Sequence, residues 1–283
     1  MAPQTYIEDM SLRGIEPDLD VINLDAWSRA ATRSYMDRNE GATDPGEHAS
    51  LQAALSTLDR RPVLDLGYGT GRTVGLLAPW TDRYVGLDYT PAMVAAARTS
   101  HPGVDLRWGD ARDLAVFEDE SFALVVFSFN GIDAVDREGR SRALAEIRRV
   151  LAPGGQVLYS THNLDGPGAR ERPWKVDRSE LVHPRHLVKR ALALPVQVGN
   201  RRRRLPACRE GDGWALRVAG AHDFRIVIQY TAVREVLAEV GRAGFTRPVL
   251  RSSRDGRVVE PGSSTSDTWW FHVLAERPAE RPA

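Results

Sequence analysis

Val63-Leu-Asp-Leu-Gly-Tyr-Gly-Thr-Gly-Arg72 decides the fold of this chain. Val63, Leu64 and Leu66, introduced by Pro62, read as a short apolar strand over 62–66. Gly67, Gly69 and Gly71 then let the backbone turn tightly and admit a ligand close to the main chain. A helix opening at Thr70 or Gly71 would aim its free N–H groups at that ligand. Asp65 stands just before the turn, so a carboxylate faces whatever the turn holds.

A glycine-rich turn after a strand is a weak signal alone, shared by nicotinamide, flavin and nucleotide binders. The nicotinamide pattern is G-x-G-x-x-G, with a pyrophosphate at the helix N-terminus. Here the spacing is G-x-G-x-G, and Asp65 would repel a pyrophosphate. A ligand carrying an ammonium group and no phosphate would be attracted instead. S-adenosylmethionine (SAM) is such a ligand, and the segment resembles motif I of the class I SAM-dependent methyltransferases. Tyr68 stands where that family often has cysteine or another small residue; it is counted with the cofactor residues, although its side chain need not touch the ligand. The resemblance covers residues 62–162 closely and 231–276 in general layout. Its motifs are Asp65-x-Gly67-x-Gly69-x-Gly71, Asp88, Gly109-Asp110 and Pro153-Gly-Gly155, far more specific jointly than singly.

Along the chain, strand and helix signals alternate. Further strands are expected over 83–87, 104–107, 122–127 and 156–161, with helices over 70–79, 91–99 and 136–150. Phe122 to Phe127 is a near-continuous apolar run, as suits a strand buried on both faces. Thr90 and Pro91 suit the N-cap and first position of a helix. The alternation argues for an α/β, doubly wound parallel sheet. With the resemblance, the expectation is a seven-stranded, mostly parallel sheet with an antiparallel last strand. Residues 1–60 would be an N-terminal helical lid, with helical spacing over 19–38 and 45–59. Residues 61–164 would be the cofactor-binding core and 165–230 an insertion covering the acceptor. Residues 231–276, with strands over 245–252 and 268–276, would complete the core. The Arg201–Arg204 run falls in what reads as a loop or hairpin.

Residues closing the strands of an open α/β sheet converge on one crevice. Asp88, ending the second strand, can accept both ribose hydroxyls, or cap the next helix. Tyr89 and Met93 are placed to lie against an adenine ring, Met93 equally well in the core. The resemblance implies that Asp110 accepts from the adenine amine and that the backbone of Ala111 reads a ring nitrogen. Phe129 and Asn130 close the fourth strand, where methyl group and acceptor meet in related enzymes; Asn130 could orient an acceptor or the methionine tail, or cap the turn. Tyr35 could come from the N-terminal lid. A hydroxyl acceptor usually needs a general base, and His162, His222 and Tyr230 are the candidates, each otherwise a structural residue. His183 and His186 lack a third ligand nearby, so no metal is expected.

The chain has 283 residues, with 38 Lys+Arg balanced by 38 Asp+Glu. Global charge therefore makes no case for nucleic acid or a membrane as partner. Locally the balance breaks: residues 1–60 hold 11 acids against 5 arginines, and 165–210 hold 12 bases against 5 acids. The two segments could face each other or be solvated, or the basic one could attract an anionic acceptor. Cys208 is the only cysteine, which excludes an internal disulfide. No apolar run reaches transmembrane length and the first ten residues are polar, so a cytoplasmic protein is expected, monomeric or homodimeric. The reading is a methyltransferase acting on an O, N or C nucleophile of a small molecule, with secondary metabolism as the expected setting. The alternatives are an RNA or protein methyltransferase using the basic insertion and a non-catalytic SAM-binding subunit. A nicotinamide dehydrogenase is disfavoured by Asp65 and the glycine spacing.

Overall fold

A computed structural model describes residues 18–29, 41–175 and 184–279. Tyr35 and His183 lie outside them. Helix α1 (Leu19–Trp27) starts on Asp18, whose carboxylate accepts the N–H of Asp20. Helix α2 (Pro45–Leu55) starts on Asp44, which accepts the N–H groups of Gly46 and Glu47, with Pro45 in the first turn. The helical spacing read over 19–38 therefore ends at Trp27 within the described residues.

The core follows as β1 (Val63–Leu66), a short α3 (Val74–Leu77), β2 (Tyr84–Asp88), α4 (Pro91–Ser100), β3 (Asp105–Trp108) and β4 (Phe122–Phe127). Then come α5 (Arg137–Val150) and β5 (Leu151–Asn163). Every residue of β1 and β4 is buried, as a central parallel strand requires. Each fully buried Val, Leu or Phe contributes about 1.5–3 kcal/mol through removal from water. The expected helix over 70–79 is much shorter, because residues 69–73 form turns around the glycines. Thr90 occupies the N-cap position of α4, but its side chain makes no capping bond.

Beyond the core lie α6 (Pro184–Arg204), β6 (Arg209–Gly211), β7 (Trp214–Val218), β8 (Val227–Thr231), α7 (Val233–Arg242), β9 (Thr246–Ser252) and β10 (Trp270–Glu276). Strands β3-β2-β1-β4-β5 are parallel neighbours in that order. Strand β10 runs antiparallel between β5 and β9. These seven strands are the expected mostly parallel sheet. Among the described residues the sheet has ten, because β8 joins the far end of β5 at His162↔Tyr230 and carries β7 and β6 with it. The expected insertion thus extends the sheet as well as adding a helix. Arg201–Arg204 do not sit in a loop; they form the last turn of the 21-residue α6. Pro195 inside that helix masks its periodicity in the sequence.

Candidate active site

The order of the sheet reverses at β1, which pairs with β2 on one side and β4 on the other. A cleft enclosing about 1020 Å³, counted with its open mouth, lies at the carboxyl ends of these strands. Its floor is the glycine turn. Gly67, Gly69 and Gly71 all have positive φ, at 64°, 61° and 108°. At Gly67 a Cβ would lie 2.8 Å from the ring of Phe127, so only glycine lets the turn approach β4.

Asp65 is fully buried and lines the cleft. Its Oδ2 accepts from the Tyr84 hydroxyl at 2.7 Å and from the Thr73 hydroxyl. Its Oδ1 is buried with no hydrogen-bond partner. Burial pushes the Asp65 carboxyl up to about 6, against the pull of Thr73, Tyr84 and the Arg72 guanidinium. An acid in this state gains most from a cationic ligand.

Asp88 is pushed up to about 6 by burial as well, although backbone N–H groups oppose the shift. Its Oδ1 accepts the N–H of Thr90 at 2.7 Å and its Oδ2 the N–H of Gly69 at 2.9 Å. One carboxylate thus holds the residue that precedes α4 and pins the glycine turn to the end of β2. A carboxylate offers about four lone-pair sites, so acceptor capacity remains toward the cleft. Tyr68, Gly69, Tyr89 and Met93 line the same space. Tyr68 also packs in a core cluster with Val74, Val94, Ala97 and Leu106.

Asp110 and Ala111 line the cleft from the end of β3. Burial alone would raise Asp110, but Arg112 outweighs it and holds the carboxyl below its ordinary range. Arg112 also reaches across to Asp20 of α1, at 3.0 and 2.7 Å. This ion-pair bridge fastens α1 over the cleft and brings Trp27 into its lining. Sequence reasoning missed Arg112, because its partners stand 2 and 92 residues away.

Phe129 and Asn130, after β4, both adopt the left-handed conformation, φ 55° and 62°. For non-glycine residues this costs on the order of 1–3 kcal/mol and concentrates at functional sites. Phe129 lines the cleft, with the Arg72 guanidinium 5.0 Å from its ring centre. Arg72 is buried and bonds Glu47 through both of its terminal nitrogens, along with the Ser128 hydroxyl. Asn130 does not line the cleft. Its N–H donates to the Ser160 hydroxyl at 2.7 Å, and its Oδ1 is buried without a partner. Gly71 is absent from the lining too, and carries the turn alone.

Two of the three candidate bases meet at a second position. His162 and Tyr230 close β5 and β8 side by side, ring centres 5.2 Å apart, with Trp270 6.2 Å from His162. Neither lines the main cleft. Asp133, fully buried, accepts the His162 backbone N–H and bonds its Nδ1, both at 2.7 Å. The other Asp133 oxygen accepts from Thr161 and from the buried Arg140, which also bonds Glu239. Burial pushes the Tyr230 hydroxyl well up from its ordinary range. His222 adopts the left-handed conformation and sets its ring edge-on to Trp27, centres 5.0 Å apart; burial pushes its pKa down. Asp133 belongs to the Phe129-Asn-Gly-Ile-Asp133 stretch, where no local pattern announces its partner 29 residues on. Among the described residues, no three His, Cys, Asp or Glu side chains are grouped so as to hold a metal ion.

Residues 63–155 match the methyltransferase domain family. A Mycolicibacterium smegmatis protein named as a probable S-adenosylmethionine-dependent methyltransferase is 39% identical over 103 residues, which are 36% of this chain and 38% of that one. A phthiotriol/phenolphthiotriol dimycocerosates methyltransferase of Mycobacterium leprae is 34% identical over 147 residues, 49% of this chain and 52% of that one. The chain thus spans about half the length, or less, of these relatives. The structure of an S-adenosylmethionine-dependent methyltransferase from Mesorhizobium loti superimposes with a TM-score of 0.54 at 21% identity, covering 82% of this chain and 98% of the other, which shows a shared fold. The fold is a Rossmann-like α/β sheet, and its first half carries the match to methyltransferase domains. Over residues 63–155 the chain is similar to SAM-dependent methyltransferases.

Proposed function

We propose that the protein is an enzyme that transfers the methyl group of SAM directly to a nucleophile of a small molecule. The observation that carries this reading is the convergence of Asp65, with its unpartnered buried Oδ1, and Asp88 on one cleft behind a glycine turn. These residues fit the cofactor. Asp65 would meet the positive charge of the amino-acid tail, Asp88 the ribose hydroxyls and Asp110 the adenine amine. Tyr89 and Met93 would flank the ring. Bound SAM supplies an electrophilic methyl carbon.

The chain's own residues then have to hold the nucleophile in line and exclude water. Positioning of this kind can remove up to roughly 7–11 kcal/mol of a barrier. For a hydroxyl acceptor, His162 is the base. With its Nδ1–H donated to Asp133, its Nε2 is the free acceptor that takes the proton. Tyr230 and Trp270 would shape the acceptor's surroundings, and Asn130 would orient it through a polar atom that has no internal partner. The insertion after β5, which continues the sheet past His162 through β8, favours an acceptor bound beside the sheet over a flat macromolecular one. The relative named for phthiotriol/phenolphthiotriol dimycocerosates supports a non-macromolecular acceptor as well.

Incubation of the protein with methyl-labelled SAM and fractionated cell extract tests the reading. Label is expected in the small-molecule fraction with the native protein and not with Asp88→Asn. Label confined to protein or RNA would contradict the acceptor class.

A further inference from the structure

Helix α6 is assembled inside out. Its inner side is anchored by polar contacts: Gln197 donates to Asp223 at 3.0 Å, Asn200 to the Asp223 carbonyl at 2.9 Å, and Arg204 to the Arg225 carbonyl at 3.1 Å. Its solvent side is apolar. Val188, Leu192 and Val196 are 61%, 75% and 51% exposed. They stand four residues apart, so they form one stripe about 12 Å long on one helix face. Water gains nothing from such a stripe, whereas a hydrocarbon boundary does.

Charge is segregated on the same helix. Its sequence contains Arg185, Lys189, Arg190 and Arg201–Arg204, and no Asp or Glu. Arg202 and Arg203 are exposed, in the last turn below the stripe, and no ion pair is seen for either among the described residues. Trp174, 59% exposed, lies against the same end, with the Arg201 guanidinium 5.7 Å from its ring centre. An apolar stripe bounded by cations and an exposed tryptophan is the composition of a helix that lies in a membrane interface. Two copies of this chain meeting through α6 would bring together two acid-free cationic helices, which repel. No helix among the described residues is long and apolar enough to cross a membrane, so the contact would be peripheral.

We propose that the solvent face of α6 docks the protein on an anionic phospholipid surface, with Val188, Leu192 and Val196 entering the headgroup boundary and the basic residues meeting lipid phosphates. The balanced net charge of the whole chain conceals this segregation. The proposal does not depend on the methyl-transfer reading.

Vesicle co-sedimentation tests it with the full chain. One set of vesicles is phosphatidylcholine alone, the other an equimolar mixture with phosphatidylglycerol. Partitioning is expected to be at least tenfold stronger on the anionic vesicles and to weaken with added salt. Leu192→Glu with Val196→Glu should lower it at least tenfold, with circular dichroism and thermal unfolding unchanged. Arg202→Gln with Arg203→Gln, a surface change independent of the stripe, should lower it as well and flatten the salt dependence. Equal, weak partitioning on both vesicle types overturns the proposal. So does a native dimer that the double glutamate variant makes monomeric without any vesicle binding, which would make the face a self-interface. Retention on an acidic protein in place of vesicles would likewise overturn it.

Discussion

Asp133 Oδ2 holds His162 twice, accepting its backbone N–H and bonding its Nδ1, each at 2.7 Å. The ring therefore cannot rotate without breaking a bond to a buried carboxylate, and Nε2 is left to act. His162→Gln is expected to lower kcat for a hydroxyl acceptor by about 10²–10⁴-fold, the usual contribution of a general base. The affinity for SAM should stay unchanged. An unaltered kcat in steady-state assays would remove His162 from the chemistry and leave it a structural residue.

Asp133 also neutralises Arg140, which is fully buried between it and Glu239. Removing one partner of a buried pair leaves an uncompensated charge. Asp133→Ala should therefore destabilise the fold by about 3–5 kcal/mol, read from urea unfolding at neutral pH. Such a loss would separate this residue from His162, whose replacement leaves Arg140 paired. A change within experimental error would mean that Glu239 alone satisfies Arg140.

Burial sets a pH window for the cofactor. Asp65 and Asp88 are both raised from 3.8 to about 6 in the folded protein. The folded state thus takes up these protons before the unfolded chain does. On this account alone, stability rises as pH falls from about 6 toward 3.8 and is lost again as pH climbs back through 6. Cofactor binding should run the other way, because the charged tail needs Asp65 ionised and the ribose hydroxyls need Asp88 as a full acceptor. SAM affinity is expected to be flat above neutrality and to fall about tenfold per pH unit below 6 for each carboxylate engaged. Calorimetric titration across the acid range checks this, and a pH-independent affinity would mean that neither carboxylate engages the ligand.

Glu47 and Arg72 form a second buried pair, 4% and 5% exposed, that ties α2 to the residues under the glycine turn. Glu47→Ala should cost about 3–5 kcal/mol and weaken SAM binding, because Arg72 also supports Ser128 and faces Phe129. Chemical denaturation together with a binding titration would show both losses. Retained affinity with reduced stability would confine the pair to the scaffold.

The sequence carried the parts of the site that are local. Asp65, the three glycines and Asp88 all belong to strand ends and turns, where short-range chemistry dictates conformation. The strands β1 and β4 were legible because burial on both faces leaves an apolar run. Three features were not legible. Helix α6 was hidden by Pro195 and by an apolar face that points to solvent, which inverts the usual pattern. Strands β6 to β8 extend the sheet through pairing with β5, a long-range event. The bridges Arg112–Asp20 and His162–Asp133 join residues far apart in sequence, and only the folded chain brings them together.

The most direct test of the cleft is a calorimetric comparison of SAM and NAD on the native protein and on Asp88→Asn. The expected result is saturable binding of SAM, no binding of NAD, and at least a tenfold weaker SAM affinity in the variant. Absence of SAM binding, or tighter binding of NAD, would contradict the assignment of the Asp65–Asp88 cleft.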